Sequence, residues 1–120
     1  MQDYGLVTVI TPSYNTARFI AETIRSVQAQ TYPNWEMIIV DDCSSDDTDG
    51  VVAPFLELDE RIRYVKNAQN SGAAVSRNKA LRMARGKWIA FLDSDDVWMP
   101  EKLEHQLRFM VENHYHFSYH

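Results

Sequence analysis

Short runs of β-branched and apolar residues alternate along this chain with longer stretches in which apolar positions recur every three or four residues. The first pattern favours strands and the second amphipathic helices. Residues 6–10 (Leu-Val-Thr-Val-Ile) read as a strand, stopped by Thr11-Pro12-Ser13-Tyr14-Asn15. Residues 17–30 read as a helix with Ile20, Ile24 and Val27 on one face and Phe19 and Thr23 beside it. Asn15 or Thr16 is its expected cap, and Tyr32-Pro33-Asn34 ends it. Residues 35–40 are a second, buried strand that runs into a polar loop, 41–47, and then into a helix that Pro54 is expected to kink or shorten. Residues 61–65 are a third, more polar strand, and 67–72 a turn. Residues 73–85 form a helix of small residues, with Gly86 as the residue that closes it. Residues 88–92 are the fourth strand. Pro100 then stands at a first helical position, and Leu103, Leu107 and Met110 make the apolar stripe of a last helix.

The predicted order is β-α-β-α-β-α-β-α. Such alternation implies an α/β fold, an open and mainly parallel sheet with helices on both faces. No repeat, low-complexity tract or linker divides the chain, so residues 1–120 are expected to form one domain. Residues 114–120 read as the start of another strand without partner or cap, so the chain is expected to be a piece of a longer protein. His114, His116 and His120 alternate there and are read as incidental rather than as a metal site.

Composition narrows the class without deciding it. Apolar residues make up 45% of the chain, enough for a packed core. The net charge of −5 argues against a nucleic-acid partner, whose footprint is basic. The single cysteine, Cys43, excludes an intrachain disulfide and fits a reducing compartment. No basic segment followed by an apolar core marks a leader peptide, and no apolar run is long enough to cross a bilayer. A cytoplasmic setting is expected, at the inner face of a membrane if the parent protein associates peripherally with one.

The chemistry concentrates at strand ends. Phe91-Leu92-Asp93-Ser94-Asp95-Asp96 runs an apolar strand into three carboxylates within four positions. Like charges this close repel, and the oxygen-only donor set suits a hard cation such as Mg²⁺ or Mn²⁺. Pro12, Ser13, Tyr14 and Asn15 follow the first strand, and Asp41 and Asp42 follow the second. In open α/β sheets ligands bind outside the carboxyl ends of strands. If strands one and four are neighbours, these groups line one crevice. Tyr14 could stack on a base, Asp42 could accept from a base or ribose, and the acidic motif could hold ribose hydroxyls and a metal ion. A bridging cation would turn repulsion of a diphosphate into attraction. Arg77 would add bidentate donors. Taken alone, Asp41 and Asp42 serve equally well as caps, Tyr14 as packing and Arg77 as a solvated helix residue.

Four motifs extend the picture: Thr11-Pro12-Ser13-Tyr14-Asn15, residues 40–48 (Val-Asp-Asp-Cys-Ser-Ser-Asp-Asp-Thr), residues 70–78 (Asn-Ser-Gly-Ala-Ala-Val-Ser-Arg-Asn) and Phe91-Leu92-Asp93-Ser94-Asp95-Asp96. In order and spacing they resemble the family 2 glycosyltransferases, and the resemblance covers nearly the whole chain. It implies the GT-A fold, here its Rossmann-like nucleotide-binding half, with Mg²⁺ or Mn²⁺ and inversion at the anomeric carbon. It also implies a nucleotide-diphospho-sugar donor, with UDP the commonest carrier, and a saccharide or lipid-linked acceptor. Carried over, Pro12, Tyr14, Asn15, Asp42, Arg77, Asp93 and Asp95 are the expected nucleotide-sugar contacts, and Asp95 and Asp96 the metal carboxylates. Cys43 departs from the glycine or asparagine common in the family. The base that activates the acceptor lies well beyond the metal motif in this family. It is therefore expected beyond His120, and the 120-residue chain is expected to bind nucleotide weakly and transfer no sugar. Two rival readings remain. Asp93-Ser94-Asp95 also resembles the first motif of haloacid-dehalogenase-type Mg²⁺ phosphatases, with Asp93 as nucleophile and Asp95 as general acid. A non-catalytic nucleotide-sugar-binding module is the other.

Overall fold

The computed structural model describes residues 2–113. The expected strand at residues 114–120 and its histidines lie outside the described residues. Eight elements follow in alternation: β1 (Val7–Ser13), α1 (Ile20–Gln28), β2 (Trp35–Asp41), α2 (Thr48–Leu58), β3 (Ile62–Lys66), α3 (Ala73–Met83), β4 (Trp88–Phe91) and α4 (Lys102–Glu112). The strands form one parallel sheet in the order β3-β2-β1-β4.

Alternation along the strands sorts side chains to two faces. Val7 and Val9 of β1, Trp35, Met37 and Ile39 of β2 and Trp88 and Ala90 of β4 pack with Ile20, Ile24 and Val27 of α1, Val52 of α2 and the Leu103, Leu107 and Met110 stripe of α4. Ile10, Ile38 and Val40 point the other way and pack with Ala80 of α3. Among the described residues three helices thus cover one face and α3 alone the other. The path of the chain explains the split. Successive crossovers carry β1 to β2 to β3 in one direction, and the next returns past β1 to β4. With the usual right-handed crossover, reversing direction moves the helix to the opposite face. Burying each large aliphatic in these two layers stabilises the fold by roughly 1.5–3 kcal/mol.

Several local expectations are corrected. β1 does not stop before Thr11 but pairs with β2 through Ser13. Pro12 is tolerated because its nitrogen faces the β4 side, and pairing with β4 ends at Ile10. α1 takes no side-chain cap from Asn15 or Thr16. Instead the Thr16 carbonyl accepts the Phe19 and Ile20 N–H groups, and Asp46 of a distant loop accepts the Ala17 N–H. α2 runs through Pro54. The carbonyl that loses its donor belongs to Gly50, which is exposed, so water replaces the bond. α3 ends at Met83 in an extended residue, Ala84, rather than at a left-handed glycine. Gly86 instead permits a close approach of backbone to backbone. A Cβ there would lie 2.6 Å from the Thr8 nitrogen and 2.9 Å from the Trp88 oxygen. Pro100 lies in the turn before α4, not in its first position.

A buried carboxylate ties the lower end of the sheet to α3. Glu36 accepts from Thr8 Oγ1 (2.6 Å), Arg63 (2.9 Å) and the Arg85 N–H (2.8 Å). Burial pushes its carboxyl up, but the hydrogen bonds from Thr8 and Arg85 and the Arg63 charge outweigh it and hold the group below the ordinary carboxylate range.

Candidate functional site

Strand order reverses between β1 and β4, and a cleft of about 280 Å³ opens there, outside the carboxyl ends of the strands. The turn after β1 supplies Pro12, Ser13, Tyr14 and Thr16. Asp42 comes from the end of β2, Ala73, Ser76 and Arg77 from the first turns of α3, and Asp93, Ser94 and Asp95 from the loop after β4. Six of the seven expected nucleotide-sugar contacts therefore meet in one place. Tyr14 is 51% exposed, so its ring is available to a flat partner. The Arg77 side chain makes no ion pair among the described residues and lines the same cleft as the acidic loop.

Asn15, the seventh, does not line the cleft. It adopts φ +53°, and its Oδ1 accepts from the Ser45 N–H at 2.8 Å and the Asp46 N–H at 3.3 Å. The Ser44 hydroxyl in return accepts the Asn15 N–H. Asparagine is among the few residues that reach this backbone region without large cost. Asn15 is thus a strut between the turns after β1 and β2. Cys43 sits at φ +64°, which gives a physical reason for glycine or asparagine to be common at its position.

Asp42 is buried and heavily engaged. Its carboxylate accepts from Asn67 Nδ2 (2.9 Å), the Ser71 N–H (2.7 Å) and the Gly72 N–H (2.8 Å). Gly72 enters α3 at φ +94°. Asp42 therefore pins the turn before α3 to the end of β2. Burial pushes its carboxyl up, but the bonds from Asn67, Ser71 and Gly72 outweigh that and hold it below the usual carboxylate range. A carboxylate offers about four acceptor positions, so one remains for a ligand in the cleft. Neighbouring Asp41 accepts the Ser44 N–H and hydroxyl and so closes its own turn.

The loop after β4 is held from outside. Thr23 Oγ1 of α1 lies 2.6 Å from the Asp96 carbonyl and 3.0 Å from the Ser94 carbonyl. This positioning residue has no chemical signature in the sequence beyond a buried hydroxyl on an apolar helix face. Asp93 and Asp95 accept no side-chain hydrogen bond among the described residues and face the cleft as bare carboxylates. Asp96 turns away, and its Oδ1 accepts the Val97 N–H at 2.9 Å.

No three acidic, histidine or cysteine side chains converge to hold a metal ion among the described residues. The donor set still fits a hard divalent cation. Mg²⁺ is commonly held by one or two carboxylates, with water and phosphate oxygens completing the shell, and Asp93 and Asp95 are two unengaged carboxylates on one cleft wall.

Residues 8–119 match the family model described as Glycosyl transferase family 2. The putative teichuronic acid biosynthesis glycosyltransferase TuaG of Bacillus subtilis is 55% identical over 114 residues, 95% of this chain and 45% of that protein. The UDP-Glc:alpha-D-GlcNAc-diphosphoundecaprenol beta-1,3-glucosyltransferase WfgD of Escherichia coli is 49% identical over 99% of this chain and 46% of its own length. The chain thus spans less than half the length of these relatives. Among solved structures, S. aureus TarS in complex with UDP superposes with a TM-score of 0.83 at 34% identity, covering 90% of this chain and 32% of that one. The mannosyltransferase PcManGT of Pyrobaculum calidifontis, in complex with GDP-Man and Mn²⁺, gives 0.83 at 31% identity, covering 88% and 32%.

Proposed function

Because this chain belongs to glycosyl transferase family 2, we propose that it forms the donor-binding part of an inverting glycosyltransferase that takes its sugar from a nucleotide diphosphate, with UDP as the carrier. The observation that carries the reading is the cleft itself. An exposed aromatic, a partly engaged buried carboxylate, a free guanidinium and two bare carboxylates come to it from three strand ends and one helix start.

Each group then has a role. Tyr14 stacks on the base, beside Pro12. Asp42 accepts from the base or ribose through its remaining lone pair. Arg77 donates to phosphate or to a base edge. Asp93 holds ribose hydroxyls, and Asp95 is the principal metal carboxylate. Asp96 joins it once its carboxylate leaves the Val97 N–H. Asn15 acts indirectly, by fixing the turn that carries Tyr14. A bound Mg²⁺ or Mn²⁺ would neutralise the diphosphate and favour its departure. The relatives are more than twice as long as this chain, and we place the base that deprotonates the acceptor in the part outside it. The acceptor is a saccharide or a lipid-linked saccharide, in the synthesis of a surface polysaccharide. No helix among the described residues is long and apolar enough to cross a membrane. The proposed setting is cytoplasmic, at the inner face of a membrane.

Titration with UDP and GDP, with and without Mn²⁺, tests this. Nucleoside diphosphate binding strengthened by Mn²⁺ is expected, and Asp95→Ala is expected to abolish that metal dependence. Unchanged metal-dependent binding by Asp95→Ala would refute the site. Beryllofluoride binding without nucleotide would favour the phosphatase reading. Sugar transfer by the 120-residue chain would place the base within it.

A further inference from the structure

The charge of this chain is divided in a way its net value hides. Eight of its 12 lysines and arginines lie between residues 61 and 92, and none of its 17 acidic residues does. That segment is β3, α3 and β4, and among the described residues α3 covers one face of the sheet alone. The acidic residues fall mainly on the segments that carry the other three helices.

Some of these cations are already spoken for. Arg61 pairs with Asp59, Arg63 with Glu36 and Lys66 with Asp49, and Arg77 belongs to the donor cleft. Arg82, Arg85 and Lys87 are different. All three are exposed, and among the described residues none has an acidic partner, although Lys87 lies over the Trp88 ring. They stand on the last turn of α3 and the segment that follows it. The same outer face exposes two aliphatic side chains, Val75 (47%) and Leu81 (41%). At the lower end of the sheet, away from the donor cleft, a second depression of about 340 Å³ is lined by Arg85 and by Arg61 and Arg63 with two carboxylates, Glu36 and Glu60, so Arg85 is its one cation without an acidic partner among the described residues.

We infer that the outer face of α3 and the segment 82–87 form a docking surface for an anionic lipid bilayer. Unpaired cations beside exposed aliphatics match a surface with charged headgroups above acyl chains. The alternative polyanion, RNA, is less well served. Neither α3 nor the segment 82–87 carries an aromatic residue for base stacking. The geometry also suits the division of charge. A flat bilayer touches one face only, so the acidic faces stay in solvent. The docking surface is separate from the donor cleft, since none of Leu81, Arg82, Arg85 and Lys87 lines that cleft.

Co-sedimentation with phosphatidylcholine vesicles containing one third phosphatidylglycerol tests it, beside pure phosphatidylcholine vesicles. Binding to the anionic vesicles alone is expected, falling steeply near ~1 M salt, where the screening length drops to about 3 Å. Each cation removed should weaken partitioning about fivefold. Arg82→Gln, Arg85→Gln and Lys87→Gln together should weaken it on the order of a hundredfold. Leu81→Asp should weaken it as well. Far-ultraviolet circular dichroism and UDP binding should be unchanged in these variants. Equal partitioning of the triple variant and the parent, or no binding to the anionic vesicles, overturns the inference. Tighter binding to a single-stranded RNA oligomer than to the vesicles also overturns it.

Discussion

Replacing Asp42 with asparagine keeps the shape of the side chain and removes its charge. Oδ1 can go on accepting from Asn67 and the Ser71 N–H, but an amide NH₂ then faces the Gly72 N–H, donor against donor. One charge-assisted hydrogen bond is lost outright, a change of roughly 1.5–3 kcal/mol. Gly72 is exposed, so water satisfies its orphaned N–H and the cost falls toward the lower end, about 2 kcal/mol. For a domain of this size that corresponds to a fall in Tm of roughly 8 °C. The pH dependence carries its own signature. The folded carboxyl titrates below its ordinary value, so its stabilisation is complete above the unfolded value, near ~4, and is lost as pH falls through the folded one. The gap between parent and Asp42→Asn should therefore be full at pH 7 and close progressively below about pH 4. Urea unfolding at both ends of that range measures it. A gap under about 0.5 kcal/mol at pH 7, or one that persists undiminished in acid, refutes the argument that a charged Asp42 pins the turn before α3.

Three further substitutions probe the scaffold around the cleft. Thr23→Val removes the hydroxyl that holds the loop after β4; we expect a loss of about 1–2 kcal/mol, with weaker Mn²⁺-dependent UDP binding, read by calorimetry. Unaltered nucleotide affinity would show that the loop needs no such support. Gly86→Ala places a methyl group against the backbone of Thr8 and Trp88 and should cost about 1–3 kcal/mol in thermal denaturation. At Cys43, valine is expected to destabilise by about 1–2 kcal/mol and glycine to be neutral or better; equal melting temperatures for the two would show that φ there is free to change.

The sequence disclosed the elements and most of the cleft for a common reason: those features are local. Strand runs, helix stripes and the acidic motif are written in adjacent residues, and a parallel α/β sheet places strand ends side by side. Long-range hydrogen bonds were not legible. Asn15 is a short polar residue in a turn, and nothing nearby says that its amide serves residues 45 and 46 rather than a ligand. Asp46 capping the Ala17 N–H is equally remote in sequence. β1 ran past Pro12 because a proline is harmful only where a neighbouring strand needs its N–H, and that depends on how far β4 extends. Thr23 looked like one more residue on a helix face until the loop after β4 was placed against it.

The braces around the cleft differ from one wall to the other. On the side that carries Tyr14, the proposed nucleoside wall, Asn15 locks the turn to residues 44–46, and Asp42 locks the start of α3. On the acidic side, backbone carbonyls are fixed by Thr23, while the carboxylates of Asp93 and Asp95 stay unengaged. The entropy of ordering is therefore unequally divided. The Tyr14 wall is already ordered when the chain folds, and docking a base there, as proposed, should immobilise little protein. The acidic wall still has the rotamer freedom of two unengaged carboxylates to surrender when a ligand is bound. Metal loading, not nucleoside docking, should then carry the larger share of the ordering entropy in the proposed donor capture.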